Sequence, residues 1–283
     1  MSSITVPGAA VRPPAAAAAP KRPRTLPWRL IAPAAGSLVA CIALWQVLAA
    51  LRLHLGLVTF ENVPTPWETA QAAWALLQSP KLAQHLGWSL LRIGYGFGAA
   101  TLAGVLLGLA IGRLGWARRW LLPPLEVLRP IPAVAWIPLA VLMFPSSEGS
   151  MVFITFVGAL FPILLNTVHG VEGVDPRLLA AARSLGCSQA GLFREVVLPA
   201  AAPSIVTGLA IGMGTCWFCL VSAEMISGQF GIGYYTWESY TVQNYPNIVV
   251  GMLVIGVLGM GSSALLRALG RALMPWQRKG ASR

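Results

Sequence analysis

Few side chains in this 283-residue sequence are of types that perform chemistry, and their spacing limits what that chemistry could be. His54, His85 and His169 stand far apart, with no H-E-x-x-H or comparable cluster, so they do not assemble a metal-hydrolase site. Cys216-Trp217-Phe218-Cys219 has the spacing of half a zinc site, but no second pair and no nearby histidine completes four ligands. Cys41, Cys216 and Cys219 fall in apolar runs and Cys187 in a polar stretch, which reads as small hydrophobes rather than a disulfide framework. No G-x-x-x-x-G-K-[ST] loop is present to cradle nucleotide phosphates. No cofactor, no metal and no catalytic constellation is therefore expected. What remains are charges inside apolar surroundings. Glu126 and Arg129, three apart, share a helical face, where they form an ion pair, snorkel to the interface, or offer an anion contact along a translocation pathway. Glu224 ends an apolar run, where it caps, pairs, or faces a partner.

The elements that position these residues are membrane elements. Hydrophobic residues make up 56% of the chain against 10% charged, and the mean hydropathy is +0.69, so length is counted in spans rather than soluble domains. The net charge of +11 sits at the edges of apolar runs, which argues for topology and against nucleic acid. An all-α integral membrane protein with six transmembrane helices is predicted, over 32–53, 88–112, 121–144, 151–168, 204–223 and 248–269.

Residues 1–27, rich in Ala and Pro, read as a disordered basic tail. Residues 28–87 hold the first span and a polar segment in which Trp67, Ala70, Trp74 and Leu77 recur at helical spacing after Pro64 and Pro66, as in an interfacial amphipathic helix. Residues 88–275 form the transmembrane core, and 276–283 a short tail. Gly94 and Gly98, then Gly104, Gly108 and Gly112, make two runs of four-residue spacing in the second span and predict a face that packs against a neighbouring backbone. Pro130, Pro132 and Pro138 are expected to bend or interrupt the third. Tyr234, Tyr235, Trp237 and Tyr240 suit either a membrane interface or a docked external protein.

Six spans place both termini on one side. Of the twenty lysines and arginines, all but Arg52, Lys81, Arg92 and Arg129 fall on the tails, the loop after the second span, or the polar stretch 170–203. The positive-inside rule puts that side in the cytoplasm. The stretch 170–203 carries Glu172, Asp175, Arg177, Arg183, Arg194 and Glu195, a helix start at Asp175-Pro176, and breaks at Gly186 and Pro199, so two short helices outside the membrane are predicted.

Within it, Ala181-Ala182-Arg183-Ser184-Leu185-Gly186, followed by Val196, Leu198 and Pro199, resembles the EAA loop of ABC importer permeases: E-A-A, three residues, Gly, and about nine more before I-x-L-P. Ala180 stands where that pattern has its glutamate. The segments RPIPAVAWIPLAVLMF (129–144), NTVHGVEGVDPRLL (166–179) and AEMISGQFGIGYY (223–235) are similar to the nitrate, sulfonate, taurine and bicarbonate permease group of the same superfamily, over roughly 60–275. The resemblance implies a type I ABC importer permease fold, an inner-membrane location and, as cargo, a small anionic solute that is nitrate-, sulfonate-, taurine- or bicarbonate-like. It also implies two ATP-binding cassette subunits that hold the nucleotide, a substrate-binding protein, and a permease homodimer in the lipid bilayer. By the same resemblance Ala181, Ala182, Arg183, Ser184, Leu185, Gly186, Arg194, Leu198 and Pro199 couple to the ATPase; Glu126, Arg129 and Glu224, as charges at the ends of apolar runs, are the candidates for the pathway. An ion-coupled secondary transporter is the alternative, for which an inverted repeat around intramembrane acids is expected; the sequence shows no internal repeat.

Overall fold

A computed structural model describes residues 28–276 apart from 55 and 57; the tail expected over 1–27 and most of that over 276–283 lie outside the described residues. Among these residues every regular element is a helix, and the one strand-like pairing is an isolated antiparallel bridge between His54 and Thr59. Helix α1 (Trp28–Ala50) belongs mostly to a unit of its own that ends at Val47.

The second unit begins with α2 (Pro66–Leu77), started by a capping box in which the Thr65 hydroxyl accepts from the Glu68 N–H and the Glu68 carboxylate accepts from the Thr65 N–H. Thr69 and Leu76 are buried, whereas Trp67, Trp74 and Leu77 face outward, as expected of an amphipathic helix with an aromatic outer face. Helix α3 (Pro80–Arg113) follows almost directly, then α4 (Gly115–Leu128), a 3₁₀ turn (Ala133–Trp136), α5 (Ile137–Met143) and α6 (Ser147–Glu172). Beyond them lie α7 (Pro176–Ser184), α8 (Gln189–Gly191), a π-helical segment (Leu192–Val197), α9 (Leu198–Ser227), α10 (Ile232–Thr241) and α11 (Tyr245–Leu273).

Four of these rods are long and apolar enough to cross a bilayer: α3, α6, the continuous helical stretch Gln189–Ser227, and α11. The expected third span is interrupted as its prolines required. Helix α4 ends before Pro130, and it meets the 3₁₀–α5 segment at 85°, so the pair is a fifth crossing only if it counts as one broken span. Pro138 does not bend a helix; it occupies the first turn of α5, where its missing N–H has no intrahelical partner to lose. In α1 the apolar residues Ala35–Ala50 fall short of a span on their own, so six crossings remain the sequence expectation.

Helix α6 is the centre of the second unit, packed between α3 and α9, with Met151, Ile154, Ala159, Ile163, Trp217 and Leu220 in the principal core. Lipid tails are as apolar as these side chains, so close van der Waals packing, not water exclusion, must hold the helices together. Small residues provide it. A Cβ placed on Gly96, Gly104, Gly108 or Gly112 would come within 2.6–2.9 Å of Thr155, Ile163, Thr167 or Val171 respectively, and the fully buried Ala100 fills the intervening step. The packing stripe is therefore 96-100-104-108-112. Gly94 and Gly98, expected on this face, point into open space, because two residues' shift turns them about half-way round the helix. On the opposite side of α6, Gly158 meets Cys219, while Gly208 and Gly212 of α9 meet Asn166 and Ile163. Thr155 and Thr167 donate their hydroxyls to Met151 O and Ile163 O, both at 2.7 Å, which leaves their methyl sides to face the glycines.

Candidate functional site

The polar stretch forms one end of the bundle, with boundaries that differ from those expected. Helix α6 continues through Glu172, so Gly170–Glu172 are its last turn rather than loop. Asp175 then caps α7, its carboxylate accepting the Arg177 N–H at 2.8 Å. At the other end Gly186 takes φ +79°, its N–H donates to Arg183 O at 3.0 Å, and the Cys187 N–H donates to Ala182 O at 3.1 Å. This pair of bonds is a Schellman stop, which needs a left-handed residue at Gly186. The expected break there is real.

The break expected at Pro199 is not. Helical structure runs from Gln189 through Ser227, 39 residues or roughly 58 Å. A proline ring clashes with the carbonyl four residues back and offers no N–H. Here the preceding turn is widened into the π segment Leu192–Val197, with the Leu198 N–H reaching back five residues to Phe193 O, so the chain passes Pro199 without stopping. The second short helix is thus the lower end of a membrane-length rod.

Ala181, Ala182, Arg183 and Ser184 lie on α7, and Leu185 follows at its C-cap. Leu179 packs inward against the Val171, Val174, Val197 and Ala201 cluster, which fixes α7 to α6 and α9. Its outer side carries Leu178 and Leu185, the latter 88% exposed, together with exposed Ala180, Ala181, Arg183 and Ser184. Arg194 is also exposed, on the π segment, and neither it nor Arg183 forms an ion pair among the described residues. Leu198 and Pro199 begin α9. Beside this surface Arg113 donates to Gln189 Oε1 at 3.0 Å and Arg118 pairs with Glu172 at 2.7 Å, tying the ends of α3 and α4 to it.

At the opposite end of the bundle the structure assembles a cluster that sequence spacing did not reveal. Arg92 of α3, 2% exposed, forms a two-pronged contact with Glu148 at the start of α6, Nε to Oε2 at 2.8 Å and Nη2 to Oε1 at 2.6 Å. Its Nη1 donates to Glu224 Oε1 at 2.8 Å and to Phe230 O at 2.6 Å, so four of five guanidinium donors are engaged. The Trp88 ring lies over the guanidinium with its centroid 5.6 Å away.

Glu224 is fully buried, and it also accepts from Ser89 Oγ at 2.8 Å and from the Gly233 N–H at 2.9 Å. Helix α10 has no side-chain cap of its own; its leading N–H groups at Gly231, Ile232 and Gly233 donate to His85 Nδ1, Ser89 Oγ and Glu224 Oε2. Three side chains from α3 and α9 thus satisfy the orphan donors of α10, and a carboxylate sits at the positive end of its dipole. Gly231 makes this possible: at φ +126° it presents its hydrogen where a Cβ would strike the Glu224 carboxylate. Of the three readings open for Glu224, it caps and pairs at once. Arg92 carried one signal in the sequence, as an ionisable residue well inside an apolar run.

Of the readings open for Glu126 and Arg129, the ion pair does not form among the described residues; both are exposed, and Arg129 lines a separate cleft. That cleft, about 280 Å³, lies at the break after α4, between Arg129, Pro132, Val134, Phe161, Thr215 and Phe218. It places one guanidinium and one hydroxyl in otherwise apolar walls.

Comparison with known proteins agrees with this architecture. Residues 100–279 match the family described as "Binding-protein-dependent transport system inner membrane component". The chain is 30% identical over 260 residues to the nitrate import permease protein NrtB of Synechocystis sp., covering 89% of this chain and 92% of that one. It is 34% identical over 255 residues to the putative aliphatic sulfonates transport permease protein SsuC of Escherichia coli, covering 89% and 92%. To the taurine transport system permease protein TauC of the same organism it is 32% identical over 246 residues, covering 85% and 88%.

Proposed function

Since the chain belongs to the family of binding-protein-dependent transport system inner membrane components, we propose that it is the membrane-spanning permease subunit of an ATP-driven importer, working as a homodimer in the cell inner membrane. Two nucleotide-hydrolysing subunits dock on the α7 end, in the cytoplasm, and a substrate-binding protein delivers solute at the Arg92–Glu224 end. The distribution of Lys and Arg supports this orientation, with both termini cytoplasmic. Family membership favours the importer over an ion-coupled secondary transporter.

The observation that carries the reading is α7 itself. A leucine 88% exposed at the tip of a capped helix, flanked by arginines that form no ion pair among the described residues and anchored by Leu179, has the character of a docking knob. The adjoining rod of Gln189–Ser227 runs from this surface to Glu224, so displacement of α7 on ATP-driven closure is carried as a rigid movement to the far end. Ala180 is exposed on the outer side of α7, so the docking contact made by a glutamate in the resembling loops is here left to Leu185, Arg183 and Arg194.

The solute is a small oxyanion of the nitrate, sulfonate, taurine or bicarbonate type. The names of the relatives support this, and the Arg129 cleft supplies a guanidinium on a scale suited to one such ion, its Thr215 hydroxyl being already engaged with Gly158 O at 2.8 Å. A cysteine at Ser184 should crosslink to the nucleotide-hydrolysing subunit, and uptake should stop when hydrolysis is blocked. Uptake that continues under that block, with no crosslink, would overturn the importer reading. Arg129→Gln should weaken uptake of anions while leaving the crosslink intact; unchanged uptake would remove Arg129 from the pathway.

A further inference from the structure

A second basic site lies on the α7-side half of α9 and α11, and shares no lining residue with the Arg129 cleft. Arg267 and Arg271, one helical turn apart on α11, line a cavity of about 290 Å³ between α11 and α9. Its remaining walls include Pro203, Val206, Thr207 and Met274, and no carboxylate lines it. Neither arginine forms an ion pair among the described residues. The two helices touch at one wall of this cavity, where Gly270 packs directly on Val206; a Cβ on Gly270 would lie 2.9 Å from Val206 Cγ2. Arg267 and Arg271 flank that crossing point on its α11 side. The Thr207 hydroxyl already donates to Pro203 O at 2.9 Å, so the cavity's free donors are guanidinium groups.

Two guanidinium charges with no carboxylate partner among the described residues call for an anion, and mostly apolar walls beside them call for apolar matter attached to it. A free inorganic ion would satisfy the first and leave the walls wet. We propose that this cavity binds the headgroup phosphate of an anionic phospholipid in the cytoplasmic leaflet, with Arg267 and Arg271 donating to the phosphate oxygens and Pro203, Val206 and Met274 packing against its glycerol and upper acyl carbons. Basic cavities between membrane helices on the cytoplasmic side suit such headgroups, and guanidinium forks match phosphate geometry. The lipid thereby occupies the joint between α11 and the rod that leads to the docking surface.

The test uses the purified full chain in micelles with equal amounts of phosphatidylglycerol and phosphatidylcholine, the retained lipid being counted by native mass spectrometry. The wild type should retain phosphatidylglycerol in preference. Each arginine near the surface contributes enough attraction that its loss should lower the retention ratio about fivefold, so Arg267→Gln with Arg271→Gln should lower it roughly 25-fold. Two further variants separate the site from general charge and from misfolding. Arg267→Lys with Arg271→Lys should keep most of the preference, and Thr207→Phe, at an exposed position, should lose it while both charges remain. Arg119→Gln with Arg177→Gln, both exposed and outside the cavity, should leave the retention ratio unchanged. Equal loss in that last pair, retention in the double Gln variant, or an unaffected Thr207→Phe would overturn the proposal. Displacement of the lipid by an equal concentration of inorganic phosphate would assign the cavity to a free oxyanion and overturn it as well.

Discussion

Arg92 and Glu224, 132 residues apart in sequence, meet at 2.8 Å with the arginine 2% exposed and the glutamate wholly enclosed. Glu148 and Glu224 both lean on this one guanidinium, so the three side chains together carry a formal excess of one negative charge. The arginine is therefore the member whose removal costs most.

Arg92→Ala strands two carboxylates, one of them with no access to water, and should destabilise the folded chain by about 3–5 kcal/mol. Glu224→Gln leaves a neutral Arg92–Glu148 pair and keeps an acceptor for Ser89 and Gly233, so its cost should be about 1–3 kcal/mol. Glu148→Gln, at a half-exposed position, should cost about 1 kcal/mol or less. Thermal unfolding in detergent, followed by size-exclusion, should rank them in that order. A Glu148 variant as damaged as the Arg92 variant would show that the outer pair, not the buried one, holds this end together.

Gly231→Ala meets two obstacles at once, a φ of +126° that side chains rarely adopt and the Glu224 carboxylate in the path of the new methyl. The backbone term alone is about 1–3 kcal/mol. The variant should unfold at lower temperature than wild type. In a Glu224→Ala background, which clears the space at its own cost, the added cost of Gly231→Ala should be smaller than in wild type; an equal added cost would mean that backbone strain accounts for the whole effect.

Register in the α3–α6 interface is tested by two glycines ten residues apart. Gly108→Val places a branched side chain where Thr167 Cβ already lies 2.6 Å from a single added carbon, and it should block assembly or sharply lower expression. Gly98→Val, facing open space, should be tolerated within about 0.5 kcal/mol. Expression and unfolding temperature decide the matter, and equal damage from both would contradict the 96-100-104-108-112 stripe.

Gly186 has room for a side chain but not the backbone freedom to carry every one, since a Cβ there meets nothing within 4 Å while φ is +79°. Gly186→Val should cost about 1–2 kcal/mol, fray the end of α7 and uncouple ATP hydrolysis from uptake, with the membrane helices still inserted. Gly186→Asn, which tolerates the left-handed region, should retain most uptake. Comparable uptake in the Asn and Val variants would remove the Schellman stop from the coupling account.

Much of this protein was readable from local pattern. Apolar runs marked the membrane rods, Asp175-Pro176 and Gly186 bounded α7, and the prolines after Arg129 marked the broken span, because each feature acts through backbone geometry within a few residues. The reading failed where a neighbour decides. Gly94 and Gly98 look like packing glycines, but four-residue spacing defines a stripe without saying which side of the helix meets α6. Pro199 looks like a stop, and the π turn before it removes the need for one. Glu126 and Arg129 share a face and still do not pair among the described residues, and Arg129 lines the cleft instead.

The sequence by itself determined the class: a helical membrane chain, its polar loop, its charge asymmetry, and a loop pattern shared with importer permeases. These follow from composition and short-range spacing, which survive in one dimension. Only the tertiary structure brought Arg92, Glu148 and Glu224 to one point and used Ser89 and His85 to cap a helix that lacks its own cap. A buried charge is tolerable only with a partner, and the partner lies wherever the packed helices place it, which no spacing along the chain records.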